Sequence, residues 1–156
     1  RDMAELELEN LEAFRALEGK PLPEGGWVVV TQEMIDDFAK ATGDFQWIHV
    51  DPEKAGKHSP FKKTVAHGFL SLALLSRMLG DCIRVRSATL GVNYGLNKVR
   101  FPSPVPVDSR IRLRGSVGKV EAYGQNGVKI TWHCTVEIDG SDKPACVAEF
   151  ISLMFE

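Results

Sequence analysis

Cysteine is scarce in this chain and is not arranged for bonding. Cys82, Cys134 and Cys146 are an odd number without CxxC spacing. Neither a disulfide framework nor a zinc site is expected, and a reducing cytoplasm is the compartment that fits. The four histidines, His49, His58, His67 and His133, form no HxxxH or HExxH pattern, so no metal is expected. GxSxG is absent, which excludes a nucleophile elbow, and no Gly-rich phosphate loop is present. No other cofactor is indicated. Charge of one sign is also lacking: the net charge of −2 gives no case for a nucleic-acid groove or a membrane surface. The longest apolar stretch, Phe69 to Leu79, is broken by Ser71, Ser76 and Arg77. It falls far short of the roughly 20 residues a membrane span needs. No signal peptide, repeat or low-complexity segment is legible.

What is present reads as one domain over residues 1–156, long enough to bury a core. Met3 to Leu17 is rich in Glu, Leu and Ala and predicts an amphipathic helical extension at about 3–18. A loop follows, then a short extended segment at Trp27–Val30. Thr31 suits the N-cap of a helix over about 32–42, with Met34, Ile35 and Phe38 on one stripe and Gly43 as its stop. Asp51-Pro52 reads as a second, short helix start, curtailed by Gly56 and Pro60. Residues 68–79 leave hardly any polar face, which predicts a helix buried on most sides.

The second half reads as strands. Val128, Ile130, Trp132, Cys134, Val136 and Ile138 alternate strictly with polar residues, the mark of a strand with one wet face. Ile111 and Leu113 alternate with Arg110, Arg112 and Arg114 in the same way. Ala145 to Phe155 suits a central strand, and Ile83 to Phe101 a further long strand bent near Gly91 and Gly95. Gln125-Asn126-Gly127 and Ile138-Asp139-Gly140 supply turns. Helices first and strands afterwards give an α+β architecture, one long sheet wrapped around the 68–79 helix.

The chemistry concentrates at Gly43-Asp44-Phe45-Gln46-Trp47-Ile48-His49 and at Ala66-His67-Gly68. An aspartate after a helix stop is commonly a turn former, and a lone histidine is commonly structural. Here Phe45, Trp47 and Ile48 predict that the segment packs inward, and a carboxylate and imidazole in a partly dry pocket can share protons. Gly68 opens a helix whose first N–H groups lack internal partners, and glycine lets a ligand oxygen come close. Tight packing at a helix start explains Gly68 equally well. His67 reads as a structural hydrogen-bonder, and His133 as exposed. Lys62, Lys63, Arg84, Arg86, Lys98 and Arg100 could meet nucleotide phosphates, although a solvated surface explains them as well.

Phe38 to Leu75, with the 43–49 segment, Asp51, Ala55 and Ala66-His67-Gly68-Phe69-Leu70, resembles the MaoC-like dehydratases, the (R)-specific enoyl-CoA hydratases. Val92 to Phe101 and Pro104-Val105-Pro106-Val107 resemble the nodulation-protein-N-like branch of that family. The family motif usually reads Gly-Asp-x-Asn-Pro-Ile/Leu-His; Gln46 and Trp47 replace its Asn and Pro. The resemblance implies a hot-dog fold, usually a homodimer, and reversible addition of water to a trans-2-enoyl thioester of CoA or a carrier protein. It implies Asp44 and His49 as the water-activating pair and the Gly68 N–H as the holder of the thioester oxygen. Thioester hydrolysis on the same fold and a non-catalytic acyl-binding subunit are the competing readings.

Overall fold

The computed structural model describes residues 4–156. The strand over 127–138 follows from its alternation. β6 (Gly127–Ile138) buries Val128, Ile130, Trp132, Cys134, Val136 and Ile138 and leaves the five residues between them half-buried or exposed. Each side chain fully buried this way contributes roughly 1.5–3 kcal/mol of transfer free energy. β6 pairs with β5 (Arg110–Tyr123) and with β7 (Cys146–Phe155). β2 (Val28–Val29) adds to β5, and β4 (Leu90–Arg100) to β7, so the order is β2-β5-β6-β7-β4, antiparallel throughout. β4 forms an edge, with shifts of register at Asn93/Gly95 and Leu96/Lys98. The bend expected near Gly95 lies at the first of these. Ile83–Val85 does not continue into β4: it is a separate strand, β3, paired in parallel with β1 (Leu6–Leu8).

The sheet curls around the helix expected over 68–79, and this is the hot-dog arrangement. That helix is divided at Leu74 into α4 (Gly68–Ala73) and α5 (Leu75–Cys82). α4 lies against β7, and α5 against β3 and β5. Leu70, Leu75, Met78 and Leu79 are buried, but Phe69 is 68% exposed and Ala73 is exposed too. The helix is therefore not buried on most sides. Its remaining apolar face looks toward the edge strand β4, where the likewise exposed Leu96 lines one cavity with Phe69 and Ala73.

The helical extension expected over 3–18 takes another form; Met3 lies outside the described residues. β1 occupies Leu6–Leu8, and a 3-10 helix covers Leu11–Leu17. Asn10 breaks the pattern, because its side chain caps the 3-10 helix by accepting from the Ala13 N–H at 3.2 Å. The segment is docked by Phe14, fully buried and edge-on to Trp132 at 5.7 Å. All three cysteines are free and buried. Burial pushes the Cys134 thiol up to about 12 and Cys146 to about 11. Among the described residues no helix is long and apolar enough to cross a membrane.

Candidate active site

α1 (Gln32–Thr42) begins as its sequence predicts: Thr31 Oγ1 accepts from the Met34 N–H at 3.2 Å. It ends at Gly43, whose φ of 79° is the left-handed conformation that glycine adopts without strain. That turn sets Asp44 on the loop beyond the helix. Asp44 Oδ1 accepts from the Gln46 N–H at 3.3 Å, so part of its role is the turn formation expected of such an aspartate. The rest of the carboxylate is exposed.

His49 is not on that loop. It sits on a further short helix, α2 (Trp47–Val50), which the sequence does not announce. Trp47 takes the first position of α2, where proline is well tolerated. The family motif usually has proline there, so the departure leaves the backbone course open to both residues. α3 (Pro52–His58) follows directly, with Asp51 accepting from the Lys54 N–H at 3.0 Å. It runs through Gly56 and stops before Pro60.

The His49 ring is 7% exposed and fixed on two sides. Its Nδ1–H donates to the Val65 carbonyl at 2.6 Å, leaving Nε2 as the free nitrogen. Gln32 holds the backbone: its Nε2 donates to the His49 carbonyl at 2.8 Å while its Oε1 accepts from Thr64 Oγ1 at 2.6 Å. Burial drives the His49 pKa below 6.5, opposed by the Val65 bond, assisted by neighbouring His67 and opposed by Asp44. His49 is thus kept neutral near neutrality, with one nitrogen able to take or give a proton.

His67 is 3% exposed and stacks on His49, with ring centroids 3.8 Å apart and planes 24° apart. Its Nε2–H donates to the Asp44 carbonyl at 3.0 Å. Its Nδ1 is buried and has no partner among the described residues, a condition that costs about 1–3 kcal/mol. Gly68 follows it as the first residue of α4, so the Gly68 N–H has no intrahelical acceptor.

Asp44, His49, His67 and Gly68 line one cleft of about 420 Å³, between Phe38 and Phe101. A carboxylate oxygen of Asp44 and one ring nitrogen each of His49 and His67 lie within 4.8 Å of one another. That trio has the donor types of a metal site. However, stacked imidazoles cannot both aim an in-plane lone pair at one ion without a ring turning. The arrangement suits proton transfer beside a carbonyl compound.

The model for the MaoC like domain matches residues 14–137. The chain belongs to the MaoC-like dehydratase family. It is 51% identical over 143 residues to 3-hydroxyacyl-thioester dehydratase Z of Mycobacterium tuberculosis, covering 92% of this chain and 94% of that one. It is 44% identical over 137 residues to nodulation protein N of Rhizobium leguminosarum, covering 87% and 85%. An (R)-hydratase of A. caviae involved in PHA biosynthesis shares the fold, with a TM-score of 0.63 at 21% identity over 84% and 96% of the two chains. The chain is therefore a hydro-lyase of the MaoC-like family, related to nodulation protein N as its 92–107 segment predicts.

Three site residues are less visible in sequence. His67 reads as a structural hydrogen-bonder; the bond exists, but its acceptor is the residue that carries the carboxylate. Gln32 and Thr64 carry no motif signal, since their role arises only where α1 and the 64–67 segment meet. Arg84 and Arg86 face Glu7 at 3.8 and 2.6 Å, which gives both an acidic partner.

Proposed function

We propose that this MaoC-like protein is an (R)-specific enoyl-thioester hydratase, equally a 3-hydroxyacyl-thioester dehydratase in reverse, acting on CoA or carrier-protein thioesters in the cytoplasm. The observation that carries this is the meeting of the Asp44 carboxylate, the His49 ring and the Gly68 N–H in one cleft.

In hydration, Asp44 and His49 hold one water. Asp44 removes a proton as the water oxygen bonds to the β-carbon of the trans-2-enoyl group. The electron pair of the double bond moves onto the thioester oxygen, where the Gly68 N–H receives the developing charge. Asp44 then returns its proton to the α-carbon, so one H and one OH have been added. Positioned acid–base groups typically supply roughly 10² to 10⁴ in rate, and one oxyanion donor about 3–4 kcal/mol.

A homodimer is part of this reading. β4 is an edge strand of eleven residues, with Leu96 exposed beside Phe69 on its helix-facing side and Leu90, Val92 and Tyr94 exposed on its other face. A long apolar edge invites pairing, and a second copy would cover it. Sedimentation as a stable monomer would contradict that part.

The test follows enoyl-thioester absorbance with crotonyl-CoA and a longer trans-2-enoyl-CoA, wild type beside Asp44→Asn. Loss of absorbance by wild type alone supports hydration. Release of free thiol would point to a thioesterase, and binding without turnover to an accessory subunit.

A further inference from the structure

Buried positions next to a helix start are ordinarily apolar, yet position 67 carries an imidazole with one nitrogen unpartnered. The polar group that is used, Nε2–H, reaches back 23 residues in sequence to the Asp44 carbonyl. The ends of the Asp44 loop are held by the helices on either side, Gly43 N–H to the Ala39 carbonyl at 2.8 Å and His49 N–H to the Gln46 carbonyl at 3.0 Å. Asp44 itself makes only long local bonds besides, its N–H to Thr42 Oγ1 at 3.4 Å and its Oδ1 from the Gln46 N–H at 3.3 Å. The face of the same ring lies on His49 at 3.8 Å and its other neighbour is Phe38 at 4.9 Å. The main chain of His67 caps α4: its carbonyl accepts from the Leu70 and Ser71 N–H groups at 3.0 and 3.3 Å. Position 67 therefore touches the aspartate loop through a bond, the catalytic histidine through a stack, and Gly68 through the peptide.

We propose that His67 is a positioning residue for the hydration reaction, fixing Asp44 relative to His49 and to the Gly68 N–H. This rests on the reading of Asp44 and His49 as the acid–base pair. His67 exchanges no proton with substrate; its Nε2–H is committed to a main-chain oxygen, and the proton path runs through Asp44 and His49. Geometry of this kind acts on turnover more than on binding, because a small displacement of a reacting group is felt mainly in the transition state.

Two substitutions separate the contributions. His67→Phe keeps a flat ring over His49 and removes the donor to Asp44. His67→Gln removes the ring and restores an N–H donor the same number of bonds from Cβ. Enoyl-CoA hydration is measured across pH for both, with thermal melting as the fold control and Asp44→Asn alongside. We expect kcat of His67→Phe to fall about tenfold or more, the equivalent of one lost hydrogen bond, with KM nearly unchanged. His67→Gln should recover most of that loss, and both variants should keep both limbs of the pH profile, the acid limb moving upward as the neighbouring imidazole that depresses His49 is removed.

Wild-type turnover in His67→Phe would overturn the proposal. So would equal loss in both folded variants with one limb of the pH profile gone, since that marks a proton-transferring histidine. If His67→Phe does not fold, His67→Leu takes its place in the comparison with His67→Gln. Undiminished turnover by Asp44→Asn would instead sink the acid–base reading itself, whatever the position-67 variants do.

Discussion

Phe101 packs over Gly68 so closely that a Cβ added there would meet three of its ring carbons at 3.2–3.3 Å. Such a contact requires the ring to shift by a few tenths of an ångström. Phe101 is 39% exposed, so its ring has room to do so. Two explanations of Gly68, tight packing and close approach of a ligand oxygen, then make different predictions. Gly68→Ala keeps the N–H but crowds the cleft beside it. On the proposed mechanism its melting temperature stays near wild type while kcat/KM drops by about tenfold to a hundredfold, part of what one oxyanion donor supplies. A destabilised variant with normal turnover per folded molecule would assign Gly68 to packing alone.

The pH dependence follows from the depressed pKa of His49, which burial holds below 6.5. The neutral ring therefore persists below that value in the folded protein. The acid limb of kcat/KM is expected to have its midpoint below pH 6.5, and a midpoint at or above it would contradict this. Stability has the same sign. Between pH 6.5 and the lowered value, the unfolded chain binds a proton at His49 that the native state refuses, so stability falls on acidification through that window. Denaturant titrations of wild type and His49→Gln should diverge there and run parallel above it.

Chain length is the third test, and it turns on Ser76. This residue lines two apolar cavities, one of about 220 Å³ beside Phe69 and Leu96, the other of about 250 Å³ beside Phe14 and Trp132. The first also shares Phe69 with the cleft of Asp44 and His49. An acyl chain leaving the thioester along α4 and α5 would pass Ser76. Ser76→Phe should then lower kcat/KM for a long enoyl-CoA by roughly tenfold or more relative to crotonyl-CoA, the scale on which apolar pockets discriminate by size. Equal losses on both substrates would place the acyl chain elsewhere.

Local rules made much of this molecule legible. Thr31 and Gly43 bracket α1, and Asp51-Pro52 opens α3, because capping is decided within a few residues. The alternation of β6 was enough to assign both of its faces. Local rules fail where distant contacts decide. Leu6 to Leu8 is extended because β3 lies beside it, and Phe69 stays exposed because α4 meets β7 on another face. In the site, Asp44 and His49 were visible as a motif. The stack of His67 on His49 is not, since it depends on how α2 and the start of α4 approach one another.

The order of the strands bears on how the molecule is made. Asp44, His49, His67 and Gly68 all precede β3, whereas β5, β6 and β7, which enclose α4 and α5, all follow it. During synthesis the cleft residues emerge well before the walls that bring them together. Until β7 pairs with both β4 and β6, the apolar stretch from Phe69 to Leu79 has no sheet to lie in. Pairings this far apart in sequence form slowly, and unsheltered apolar surface in the interval favours aggregation. Substitutions in β7 at Cys146 or Ala148, which line neither the Asp44–His49 cleft nor the cavities beside Ser76, would thus act on the yield of active protein through assembly rather than through turnover.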